Sequence, residues 1–402
     1  MGILDLFRGS KDTRVARRYM EVLRQAGETR RMQFDAPEEA IRILNEAGGI
    51  AESLYITNLK LELECVPERD HDAVYDRYAK GVRDSPARDL SSYEAAQAGL
   101  YAVLKDRAYP DYIDLMQKLD RGSSNAVVWG EIAPDLVACV VADQENSIRF
   151  LGAGDLERWA VSAEQVLAGA VANVRALGLS MVPSGPLFLA EGEDVYIASR
   201  LLSEAEIRKL PLAGRPVAVV PDRQTLAIAG SEDVSGLVEL ARLVKARIEV
   251  GERLISARPV VLTDSGWQDF EPPEPARVEF ANQRRVMGAV NWSQYQELLE
   301  KDFQAKGEDI FVAKLSVYSE PEAEAYYTSF VWSKGVDSIF PASDRVLFYE
   351  AEGLPIRAAQ WTDVRRVMGD KLQRQEGLPE RYRTSVFPTA AEFAAMGAKV
   401  AS

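Results

Sequence analysis

Three observations predict an α+β chain made of modules in which helices accompany three-stranded antiparallel sheets, with a smaller α+β domain at the C-terminus. Two helix starts carry capping signals, at Ser162 and Ser203. Short apolar runs bounded by Gly, Pro and Asp recur between the helical stretches, as strands do. The order helix, three strands, helix occurs once cleanly and once approximately, without a fixed-period sequence repeat.

Taken in order, residues 11 to 27 predict an amphipathic helix, with Val15, Tyr19, Val22, Leu23 and Ala26 on one face and four arginines elsewhere. RRMQFD, AIRILN and IAESLYI then predict three strands, the last two joined around Gly48 and Gly49. Helices are expected at Asn58 to Val66 and Asp70 to Val82, and a second round near residues 93 to 105 and 111 to 120. AVVWGEI, LVACVVAD and SIRFL predict the next three strands.

The most legible stretch runs from Asp155 to Gly230. Ser162 and Gln165 form an S-x-x-Q capping signal flanked by Val161 and Val166. Apolar residues follow at helical spacing, and Gly178 supplies a left-handed stop. The same device is expected at Ser203 and Glu206, with Pro211 ending the helix. GPLFLA, VYIASRLL, PVAVVP and TLAIAG read as strands, and Val234 to Val250 as a helix ending at Gly251. EPPEP, at 271 to 275, is the best boundary, because its prolines neither continue a helix nor suit a central strand. The expected division is 1–90, 91–270 and 276–402. The last part opens with a helix over Ala281 to Gln304, then strands IFVAKLSVY, AYYTSFVW and RVLFYE and a helix from Thr362 to Leu372; its tryptophans are expected in the core.

Composition narrows the function. Acidic residues number 62 against 48 basic in 402, a formal charge of -14, which disfavours nucleic acid and anionic membrane as partners. No run is long enough to span a bilayer, and the first residues lack the apolar core of a secretory signal, so a cytoplasmic protein is expected. Cys65 and Cys139 sit in apolar surroundings and read as buried thiols. His71 is the one histidine, which removes zinc and iron sites needing a second imidazole. No G-x-S-x-G elbow or Walker A sequence is present, and the glycine run after SIRFL has Glu157 where a dinucleotide fingerprint needs its third glycine. No catalytic residue, metal site or cofactor is therefore assigned, although carboxylate-only magnesium sites stay open.

Two segments resemble each other, VAVVPDRQTLAIAG at 217 to 230 and DSIFPASDRVLFYE at 337 to 350. Each is a strand, a proline, an Asp-Arg pair and a second strand. They read either as hairpin turns in which Asp bonds its own backbone, or as recognition loops in which Arg223 or Arg345 offers a forked donor to an anion while Asp222 or Asp344 orients it. Arg200 is a further candidate anion clamp.

The run DLERWAVSAEQVLAGAVANVRAL, then YIASRLL and VVPDRQTLAIAG, resembles the YtpQ-like family of bacterial proteins over roughly residues 90 to 270. MGILDLFRGSKD and VWSKGVDSIFPASDRV are similar to the ends of its longer members. The family has an acidic residue after its Pro-x-Arg, where this chain has Gln224. The resemblance implies a cytoplasmic bacterial protein and carries no activity, cofactor or catalytic residue. The element order is also similar to secretion-chaperone and YbjN-like folds, an analogy of fold alone.

The leading expectation is a non-catalytic adaptor or chaperone-like protein that binds a protein partner through strand edges and apolar patches, with homo-oligomers left open. The alternative is an enzyme or nucleotide-responsive regulator in which Arg200, Arg223 or Arg345 meets acids of perturbed pKa in one pocket. A third reading is membrane attachment through residues 1 to 31.

Overall fold

The computed structural model describes residues 3–35, 40–44, 50–83, 90–144, 147–192, 194–251, 254–320 and 324–400. It has an α+β fold of several modules and divides into two compact units, Met1–Leu100 with Val141–Phe150, and Tyr101–Val140 with Leu151–Ser402.

In the first unit, α1 (Ile3–Gln25) precedes β1 (Arg31–Asp35), β2 (Ala40–Leu44) and β3 (Ile50–Tyr55), an antiparallel sheet in sequential order, followed by α2 (Thr57–Cys65) and α3 (His71–Arg83). The expected helix, three strands, helix order is therefore present. The apolar stripe of α1 is consumed internally, with Ala16, Tyr19, Val22 and Leu23 packed among Ile41, Leu59, Leu63, Val74 and Tyr75. That burial leaves this stretch of the helix no apolar face for a bilayer, and no described helix is long and apolar enough to cross a membrane. Gly48, Gly49 and the side chains of residues 1 to 12 lie outside what is described.

A helix does not extend from 93 to 105. α4 (Tyr93–Ala96) is one turn capped by Ser92, whose Oγ accepts from the Ala95 amide, and the chain then enters β4 (Leu100–Asp106). Leu100, Ala102, Val103 and Leu104 are all buried there, so this apolar run belongs to a strand covered on both faces, not to a one-sided helix. α5 (Tyr109–Arg121), β5 (Trp129–Ala133), β6 (Leu136–Gln144) and β7 (Ser147–Phe150) follow, with β5 and β7 each antiparallel to β6.

α6 (Ala153–Trp159) occupies the failed dinucleotide fingerprint, and buried Asp155 accepts from the Gly152 amide at 3.0 Å. α7 (Ala163–Ala176) starts where Ser162 Oγ accepts from the Gln165 amide at 3.1 Å, buries Val166, Ala170 and Val174, and ends before left-handed Gly178. β8 (Ser180–Ser184), β9 (Leu187–Glu191), β10 (Pro216–Val219), β11 (Ala227–Gly230), β12 (Val260–Thr263) and β13 (Gly266–Asp269) form a six-stranded sheet in the order β13-β12-β10-β11-β9-β8.

VYIASRLL is not a strand. Ala198–Leu202 is a 3-10 turn because Arg200 ties the segment to Asp194 and to the Gly178 carbonyl. The helix expected at Ser203 is also only one turn, α8 (Glu204–Ile207). The buried Ser203 hydroxyl makes no cap bond, and Pro211 leaves no room for a second turn.

α9 (Val234–Val250) packs Leu237, Leu240, Ala241, Val244 and Ile248 on the sheet. The same core takes in Ala276, Phe280 and Met287 of α10 (Ala276–Lys306), so the helix after EPPEP shares the core that precedes it. Gly230 is required here, since a Cβ would lie 2.2 Å from the Ala213 carbonyl oxygen. The far half of α10 supplies Trp292, Tyr295 and Leu299 to a second cluster with Val312 and Ile339.

IFVAKLSVY splits between sheets. β14 (Phe311–Val312) joins a four-stranded sheet with β17 (Ser338–Pro341), β20 (Gln373–Gln375) and β21 (Arg381–Thr384), in the order β14-β17-β21-β20. β15 (Ser316–Glu320) joins β16 (Ala325–Ser333), β18 (Arg345–Tyr349), β19 (Arg357–Gln360) and β22 (Lys399–Val400) in that order. The Trp292 indole donates to the Ala313 carbonyl at 2.7 Å and pins the break. α11 (Trp361–Met368) and α12 (Ala390–Ala395) complete an aromatic core of Phe330, Trp332, Phe340, Phe348, Trp361 and Phe393.

Candidate functional site

The first Asp-Arg turn is a hairpin between β10 and β11. Its carboxylate faces inward. Asp222 is 2% exposed and accepts from the Gln224 amide at 2.8 Å, the Thr225 hydroxyl at 3.1 Å and Nε of Arg247 on α9. The Asx turn expected of this Asp is present, and the helix arginine neutralises the charge that burial isolates. Arg223 is half-buried, and its carbonyl accepts from the Ala198 amide at 3.3 Å.

Arg200 is buried and committed. Its Nη1 and Nη2 reach the two oxygens of Asp194 at 2.9 and 2.7 Å, and its Nε reaches the Gly178 carbonyl at 2.9 Å. The Arg200 fork holds the Asp194 carboxyl below its ordinary range. Asp194 and Gln224 line a depression of about 700 Å³ with Ser180, Glu191 and Ile197, but the Arg200 guanidinium is already filled by its partner.

The second Asp-Arg segment is not a hairpin, because β17 and β18 lie in different sheets. Asp344 again turns inward, accepting from Nε and Nη2 of Arg285 (2.9 and 3.0 Å) and from the amide and hydroxyl of Thr328 (2.7 and 2.8 Å). Burial pushes this carboxyl up, but Arg285 and Thr328 outweigh it, and the net displacement is downward. Arg345 points to the other face of β18. Its guanidinium pairs with Glu320 and lies 3.9 Å from the centre of the Tyr327 ring, which stacks on Tyr318 at 5.3 Å.

The five-stranded sheet thus has two unlike faces. Phe330, Trp332, Val346, Phe348 and Ala359 alternate into the core. On the opposite face the register sets Tyr318 beside Tyr327, Ser329 beside Arg345, Val331 beside Leu347 and Ser333 beside Tyr349. Tyr318, Val331 and Tyr349 are 42%, 42% and 39% exposed, so an apolar and aromatic row continues from the Arg345 stack toward solvent.

A separate cleft of about 400 Å³ was not visible in the sequence. It is lined by the turn after β4 (Asp106, Arg107, Ala108), the β5–β6 turn (Pro134, Asp135), Ser256 and Ala257, one face of α10, and Leu378, Pro379 and Glu380. Arg284, Met287, Gly288 and Asn291 face it at helical spacing i, i+3, i+4, i+7. Burial pushes the Asp106 carboxyl up to about 7, against the Ala108 amide that donates to it at 2.7 Å, and neighbouring Asp135 adds to the rise. Arg200, Arg223 and Arg345 do not line this cleft.

Cys139 is buried, and burial pushes its thiol up to about 12, far from a reactive thiolate. The Cys65 side chain lies outside the described residues. His71 is half-buried at the start of α3, its Nε2 3.3 Å from the Val66 carbonyl oxygen. Among the described residues no three His, Cys, Asp or Glu side chains come together as a metal-ligating group. Comparison of the chain with protein-family models, with curated proteins and with solved structures returns no match.

Proposed function

We propose that this chain is a non-catalytic, protein-binding adaptor or chaperone-like protein of the bacterial cytoplasm, taking its partner on the open face of the five-stranded sheet. One observation carries the reading: Tyr318, Val331 and Tyr349 are each more than a third exposed on that face. An apolar row of this kind, in strand register around Tyr327 and Leu347, is the surface type that partner proteins cover. Arg345 is already neutralised by Glu320 and seated on Tyr327, so the centre of the face combines an aromatic stack with an internally satisfied charge. The partner expected for it presents apolar side chains and few charges. β15 pairs only with β16 among the described strands and offers an edge beside the face.

The test is affinity purification of the tagged chain from its own cytosol, with Val331→Asp as the comparison. Val331 is exposed, so this change places a charge on the face without a core cost. A stoichiometric protein retained by the unmodified chain and lost with Val331→Asp supports the reading. A partner retained equally by both contradicts it.

A further inference from the structure

The cleft beside α10 is a second site, independent of the sheet face. Its polar groups divide into those already committed and those still open. Arg107 is paired with Glu131 at 2.6 Å, and Asp135 with Arg258 at 2.6 Å. Glu380 accepts the Tyr382 hydroxyl and lies 3.7 Å from Arg365. The Ser256 hydroxyl accepts from the Arg258 amide at 3.0 Å, which leaves one carboxyl, one guanidinium and one carboxamide. Among the described residues Asp106 uses one oxygen for the Ala108 amide and forms no ion pair, and Arg284 and Asn291, two turns apart on α10, have no side-chain partner. Gly288 lies between them, and a Cβ built on it meets nothing within 4 Å, so the helix wall is open at the point where a ligand would rest.

A simple anion would satisfy Arg284 and Asn291 but set a like charge against Asp106. A simple amine would satisfy Asp106 and leave Arg284 unmatched. A molecule bearing both groups satisfies all three, and about 400 Å³ is within the size range of small-molecule sites. We propose that this cleft binds a small zwitterion of the free amino acid class, its carboxylate on Arg284 and Asn291 and its ammonium group on Asp106.

The carboxyl's elevated proton affinity supports the assignment. An ammonium group beside Asp106 favours its charged form, so binding near neutral pH should release a proton. The experiment is isothermal titration calorimetry of the full chain with each of the L-α-amino acids and with the matching amines and carboxylic acids, in two buffers of different protonation enthalpy. At least one amino acid should bind at a single site and release a proton, with its amine and acid analogues weaker by roughly tenfold or more, about the scale of one lost charge-assisted contact.

Arg284→Met should remove binding. Gly288→Phe should also remove it by filling the cleft, at no cost to the melting temperature, because a helical glycine is replaced. No binding by any amino acid at millimolar concentration overturns the proposal. So does equal binding by the analogues, or binding that survives Gly288→Phe.

Discussion

Arg285 on α10 grips both carboxylate oxygens of Asp344, at 2.9 and 3.0 Å, and so fastens the start of β18 to the long helix. The Arg beside that Asp, Arg345, faces the opposite side of the sheet and makes no part of the clasp. The two members of one Asp-Arg pair therefore have separable roles. Asp344→Ala should cost roughly 2–4 kcal/mol, because it leaves the Arg285 guanidinium and the Thr328 amide and hydroxyl unsatisfied. Arg345→Ala should cost about 1 kcal/mol or less, and urea titration of the two variants compares them.

The Asp344 clasp also sets an acid limit. A carboxyl held below its ordinary value contributes stability that is present above the unfolded-state pKa, about 4, and is lost as pH falls through the lower folded value. The stability difference between the unmodified chain and Asp344→Asn should therefore be full at pH 7 and shrink below about pH 4.

At the first turn the division repeats. Asp222 is buried and holds Arg247, Thr225 and the Gln224 amide, so Asp222→Ala should lower stability by roughly 2–4 kcal/mol. Arg223→Ala, at a half-buried position on the turn, should cost about 1 kcal/mol. Thermal melts of the two variants compare them directly.

Asp106 gives the opposite pH signature from Asp344. Asp106 shares the lining of the cleft with Asp135, Glu380, Arg107 and Arg284; burial, with Asp135 adding to it, raises its folded value to about 7. A raised folded value means that the contribution is fully present below about pH 4 and is lost as pH climbs toward 7. Relative to Asp106→Asn, the unmodified chain should lose stability across that window, by on the order of 3–4 kcal/mol in total. Melting curves of both proteins at pH 5 and pH 8 read the difference.

Capping chemistry made part of the fold legible. Ser162, Gly178 and Gly251 act at single positions, and a hydroxyl or a left-handed glycine is visible without knowledge of any distant residue. The same signal is present at Thr389 and Glu392, which bond reciprocally at the start of α12. VYIASRLL misleads because its conformation depends on where Arg200 finds a carboxylate and a carbonyl, which apolar patterning does not encode. Leu100 to Leu104 misleads for a related reason, since burial on both faces erases the alternation that marks a strand.

The two Asp-Arg pairs are legible in the sequence, but which member turns inward is not. That depends on Arg247 and Arg285, which lie 25 and 59 residues away. The cleft draws on five separated segments and has no local motif, although the open stripe of Arg284, Gly288 and Asn291 on one side of α10 was its one readable trace.

The most direct test of the sheet-face account is site-specific photo-crosslinking in the native cytosol. A photoreactive side chain would be placed in turn at Val331, at Tyr349 and, as a control, at Val250, which is 56% exposed at the end of α9. The account expects one discrete protein adduct from Val331 and Tyr349 and none from Val250. Adducts absent from all three positions, or the same mixture from each, would contradict a partner seated on this face.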